Sequence, residues 1–226
     1  TTDTSYEGDL HEPDCTPEDV AYLLDAVNAV TTAELTPADV TGVWAGLRPL
    51  RKPEEGRKLS LRTADLSRRH HVETTTDGMV LVTGGKWTTY RQMAEDTVDE
   101  LSRQLPGVDA CKTRSLPLHG APGATVPRLG AVDPATEAHL RSRFGNEAEE
   151  VVALIVEDPE LGEPLIESLP YLKAEVVYAA RHEMVLHLDD VLCRRLRAHL
   201  IDARASLAAA PAAAAAPSSR DPRLGA

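Results

Sequence analysis

The sequence predicts an α+β chain, and three observations carry that expectation. A hairpin pattern occupies the first half: β-prone runs at residues 70–76 and 79–83 flank Asp77-Gly78. From about residue 132 the apolar residues repeat at helical spacing instead. Between the two, Pro117, Pro122 and Pro127 with Gly120 and Gly123 read as an irregular connector. The expected division is therefore a strand-bearing part over 1–105, a connector over 106–131, an all-α part over 132–206 and a disordered Ala/Pro tail over 207–226. At 226 residues the chain is one large domain or two small ones, on the usual ~100–200 residues per domain.

Thr16 followed by Pro17, Glu18 and Asp19 is a helix start: a hydroxyl cap, proline in the first turn, and acids where the helix dipole favours them. Val20, Leu23, Leu24, Val27 and Val30 continue it at helical spacing. Thr36-Pro37-Ala38-Asp39 repeats the signal for a short helical turn. Residues 43–50, VWAGLRPL, read as a strand ending at Pro49, and residues 51–58 as a polar loop. Asp77-Gly78 supplies the positive φ angles of a tight hairpin turn. Gly84-Gly85 ends the second strand, and a helix starts at Thr88 or Thr89, carrying Met93, Ala94, Val98 and Leu101. Further helices are expected at 135–144, 146–156 and 171–206, the last broken near Leu188.

The net charge is −12, which argues against nucleic acid, because neutralising phosphates needs a basic footprint. The acids are unevenly spread. Residues 1–40 hold ten acids and no Lys or Arg, whereas residues 41–91 hold ten bases and five acids. A basic island in an acidic chain fits a local anionic ligand better than a long polyanion. No run of apolar residues reaches the ~18 that a membrane-spanning helix needs. Cys15, Cys111 and Cys193 form no CxxC pair, so a reducing cytoplasm is the expected setting. The first residue is Thr, which fits a processed chain or a piece of a longer one.

Gly84-Gly85-Lys86-Trp87-Thr88-Thr89-Tyr90-Arg91 is the most informative stretch. Glycines permit close approach to the backbone, a helix start offers free N–H donors, and Lys86 adds a full positive charge. Such a turn suits a phosphate or a ring carbonyl that becomes anionic on reduction; a plain Gly-Gly turn with a capping threonine explains it equally well. Arg48 sits in an apolar segment and needs an acidic partner or an anionic ligand. Either this residue or Arg68, on the run into the hairpin, fits a structural ion pair when taken alone; the two together near Lys86 are compatible with a phosphate pocket, since guanidinium binds phosphate as a bidentate fork. His182 and His187 are five apart, not the four a zinc helix requires. His70 and His71 point to opposite faces of a strand. The sequence contains no GxGxxG, P-loop or GxSxG.

These stretches in order resemble a known family: residues 1–9, 44–50 (WAGLRPL), 67–70 (SRRH) and 84–91 (GGKWTTYR), then 171–176 and 189–195. The chain resembles the C-terminal portion of the FAD-dependent glycerol-3-phosphate dehydrogenases, actinobacterial type, up to about residue 206. The resemblance implies a remnant of the flavoprotein substrate-binding sheet followed by an all-α C-terminal domain. It implies FAD as cofactor, glycerol 3-phosphate as substrate, membrane quinone as electron acceptor, and a homodimer at the cytoplasmic membrane face. It places Arg48 and Arg68 on the substrate, and Gly85, Lys86, Trp87 and Thr88 beside the flavin. The family's ADP-binding half has no counterpart here, so this chain alone is expected to be inactive, and no general base is assigned. An oxidase of the same architecture and a non-catalytic helical docking module are the alternatives.

Overall fold

The computed structural model describes residues 2–4, 6–48, 69–121 and 130–218. The described residues are mostly helical, with one two-stranded sheet. They fall into two compact units, Thr1–Leu35 with Ala45–Pro117, and Thr36–Trp44 with Leu118–Ala226.

In the first unit, α1 spans Pro17–Asn28. Thr16 and Asp19 close a reciprocal capping box, with Asp19 N–H donating to the Thr16 hydroxyl and Thr16 N–H to the Asp19 carboxylate. Two strands follow, β1 at His71–Thr74 and β2 at Val80–Thr83, antiparallel, with His71 opposite Thr83 and Thr74 opposite Val80. Gly78 carries the positive φ, 87°, that the turn demands. After a single 3-10 turn at Trp87–Thr89, α2 spans Tyr90–Ser102 and packs on both strands. No described residue of this unit is buried. Val27, Val82, Val98 and Leu101 are all exposed, so apolar faces of α1, α2 and β2 lie open.

The second unit holds every buried residue among those described. Asp133 caps α3, Pro134–Phe144, accepting from the N–H groups of Ala135 and Thr136. A 3-10 turn leads into α4, Ala148–Glu157, and α5 spans Lys173–His182. Leu140, Val151, Ala174 and Tyr178 form one core cluster; Val176, Leu192, Leu196 and Ala213 belong to a second. Phe144 and Tyr178 meet edge to face at 5.1 Å, and burial pushes the Tyr178 phenol up to about 12.

The carboxylate of Glu175 is wholly buried between these helices. It takes hydrogen bonds from His139 at 2.7 Å, Arg143 Nε at 2.6 Å and the Leu172 N–H at 3.0 Å. Arg143 also donates to the carbonyls of Arg195 and Leu196, and lies over the Tyr171 ring. One buried charge cluster therefore ties α3, α5 and the segment after residue 190 together.

Three expectations need correction. Residues 43–48 form no strand; Val43, Trp44 and Leu47 are exposed, and among the described residues no neighbouring strand accepts their backbone groups. A β-prone run without a partner edge has nothing to pair with. The stretch 171–206 is interrupted more than once. Residues 183–187 are non-helical, Asp190–Arg195 is π-helical, and Ala198–Leu200 is a 3-10 turn. The tail is ordered over most of its length, because α6 spans Ala203–Ser218. Alanine is the strongest helix former. Here Ala209 and Ala213, four apart, are buried in the second cluster, and Ala216 touches both. That packing outweighs Pro211, which lacks an N–H for the helix ladder.

Candidate functional site

The turn from Gly84 to Thr89 joins β2 to α2. Gly84 and Gly85 have φ of 71° and 91°. A side chain at Gly84 would stand 2.8 Å from the Arg69 carbonyl, and one at Gly85 2.4 Å from Met93 Sδ and 3.2 Å from His70 Cβ. The glycines thus serve the chain's own packing: they let the turn close on the strand entry and on α2, rather than leaving room for a ligand. Gly84→Ala is expected to unfold this unit at lower urea than Gly78→Ala. Both meet positive φ, but an added Cβ at Gly78 has only Gln104 Oε1, at 3.5 Å. The difference measures the close approach, about 1–3 kcal/mol for overpacking.

Past the glycines the backbone turns outward. Lys86 precedes the 3-10 turn in extended conformation, and the Thr89 N–H donates to its carbonyl at 3.0 Å. The first N–H groups of such a turn have no acceptor within it. Trp87 is 86% exposed and stacks on Tyr90 at 5.7 Å. Lys86 and Thr88 are exposed as well. The donor set is an ammonium, turn N–H groups, a hydroxyl and an aromatic face, which fits an anionic or electron-rich planar ligand better than a metal ion.

Beneath the turn, His70 Nε2 donates to Asp96 Oδ2 at 2.6 Å, and Gln92 donates to Asp96 Oδ1 at 2.7 Å. These bonds, His70 first, hold the Asp96 carboxyl below the usual carboxylate range. Arg91 reaches Gln92 at 3.0 Å, Glu95 at 2.7 Å and the Thr113 hydroxyl at 3.1 Å. His71, on the other face, meets Glu73. Nothing in the sequence marks the His70–Asp96 pair: the two are 26 residues apart and match no motif.

Arg48 belongs to the same unit as this turn, but not to a strand. Its Nε stands 3.3 Å from Asp3 Oδ1, with both side chains substantially exposed. Arg68 lies outside the described residues. His182 stacks on Tyr178 at 4.7 Å.

Residues 111–219 match the family described as the C-terminal domain of alpha-glycerophosphate oxidase. Over 206 residues, 87% of this chain, the sequence is 41% identical to glycerol-3-phosphate dehydrogenase 2 of Mycobacterium tuberculosis and covers 34% of it. It is 40% identical to the glycerol-3-phosphate dehydrogenase of Mycobacterium leprae over a span of the same size, again 34% of that protein. A mitochondrial glycerol-3-phosphate dehydrogenase of Arabidopsis thaliana is 34% identical over 84% of this chain and 33% of its own length. The chain thus spans about a third of the length of the curated relatives it matches. The C-terminal-domain match over residues 111–219 and the alignments over 87% of the chain make it similar to the C-terminal portion of the glycerol-3-phosphate dehydrogenases.

Proposed function

We propose that this chain is the C-terminal part of an FAD-dependent enzyme that oxidises sn-glycerol 3-phosphate to dihydroxyacetone phosphate and passes the electrons to membrane quinone. The observation that carries the reading is the exposed Lys86-Trp87-Thr88 turn, in a chain whose relatives are named for glycerol 3-phosphate oxidation. FAD, when bound, supplies the acceptor for the hydride from substrate C2. Lys86 and the N–H groups of Trp87 and Thr88, with Gly85 beside them, would hold negative charge on the bound flavin. Arg48 and Arg68 clamp the substrate phosphate and hydroxyls. Residues 1–105 are then the end of the flavin and substrate domain, followed by a connector and the helical domain from 132. The open apolar faces of the first unit support this division, since such faces seek a covering surface. The homodimer and the peripheral place on the cytoplasmic membrane rest on the resemblance alone; among the described residues no helix is long and apolar enough to cross a membrane.

A second reading, an oxidase that reduces oxygen to peroxide, is favoured by the description of the family that residues 111–219 match. Assay of a protein of the relatives' full length separates the two: glycerol 3-phosphate reduces a quinone analogue in the first, and yields stoichiometric peroxide in the second. The 226-residue chain is expected to emerge from gel filtration without the yellow flavin band. A full-length protein that carries flavin yet oxidises no glycerol 3-phosphate with either acceptor defeats both readings.

A further inference from the structure

We propose that His70, Asp96 and Gln92 are positioning residues that fix the Gly84–Thr89 turn in the orientation its ligand requires. The inference rests on the reading that this turn meets the flavin. The three residues join the strand entry to the first turns of α2, beside the chain turn that leads from β2 into α2. His70 stands at the entry to β1, Gln92 and Asp96 lie one helical turn apart on α2, and the turn links β2 to α2. The ionised Asp96 carboxylate receives both donors, one on each oxygen. Charge-assisted bonds of this kind are among the stronger ones. A Cβ added at Gly85 would stand 3.2 Å from His70 Cβ and 2.4 Å from Met93 Sδ, so the turn backbone lies close against the residue that carries the bonded ring and against α2. Arg91 extends the chain of bonds from Gln92 to Glu95 and Thr113. The first turn of α2 is therefore held from both sides. A second tie between the same elements, the Thr74 hydroxyl to Glu100 at 2.7 Å, lies at the far end of β1 and two turns further along α2 than Gln92. It provides an internal control, because it joins strand to helix without touching the glycines.

Amide hydrogen exchange in the 226-residue chain tests the proposal at Thr89 and Tyr90, whose N–H groups bond to the carbonyls of Lys86 and Trp87. His70→Leu and Asp96→Ala are expected to speed exchange at these two amides about tenfold, the scale of a lost charge-assisted bond. Thr74→Val is expected to leave them within about twofold, and His70→Gln, which keeps a donor at similar reach, to restore most of the protection. Unchanged exchange in His70→Leu overturns the proposal. So does an equal response to Thr74→Val, because the pair is then a fastening like any other. In the flavin-loaded full-length protein, His70→Leu is further expected to shift the flavin midpoint potential. A specific exchange response with an unmoved potential keeps the positioning role and removes the flavin from this turn.

Discussion

Glu175→Ala is expected to unfold the helical unit at much lower denaturant than the parent, with a loss of about 3–5 kcal/mol. The carboxylate has no exposed surface, and His139, Arg143 and the Leu172 N–H all donate to it. Removing it strands two cationic or polar side chains in the interior and leaves a cavity beside Leu172. The loss should appear in thermal and urea unfolding followed by helical circular dichroism. Glu175→Gln keeps the shape and one acceptor and is expected to lose less, about 1.5–3 kcal/mol for the charged bond. If both variants unfold with the parent, the cluster does not hold the helices together. Because Glu175 and the Gly84–Thr89 turn belong to different compact units, the same variants should leave amide exchange at Thr89 and Tyr90 unchanged.

In a flavin-loaded protein of full length, Arg48→Ala is expected to lower kcat/KM for glycerol 3-phosphate by about one to two powers of ten, the value of a charge-assisted hydrogen bond of roughly 1.5–3 kcal/mol. Flavin content should not change. In the 226-residue chain the same substitution should reduce stability by no more than about 1 kcal/mol, because the Arg48–Asp3 pair is half-exposed and solvent screens it. Arg48→Lys retains the charge and loses the planar fork, so it should fall between the two. Unchanged kinetics in a folded, flavin-loaded Arg48→Ala enzyme remove Arg48 from the substrate site.

Features with local causes are legible in the order of the amino acids. Thr16 and Asp19 cap α1 because a hydroxyl and a carboxylate three residues apart satisfy each other's backbone. Gly78 closes the hairpin turn because glycine adopts positive φ cheaply, whereas Asp77 does not take the positive φ expected of it. Lys86-Trp87-Thr88 stood out because glycines followed by a helix start form a local pattern. Apolar spacing likewise gave α3 and α4 nearly to the residue. Tertiary structure decided the rest. Whether residues 43–48 become a strand depends on a partner edge, which no local pattern encodes. The Ala-rich tail folds because Ala209 and Ala213 meet a core built by distant residues, and composition alone reads as low complexity. The contacts of Glu175 with His139 and Arg143, and of His70 with Asp96, cross 26 to 36 residues of chain. A hydrogen bond acts over about 3 Å. Partners so far apart along the chain come within that range only after helices and strands have packed, so their meeting leaves no period or spacing in the sequence.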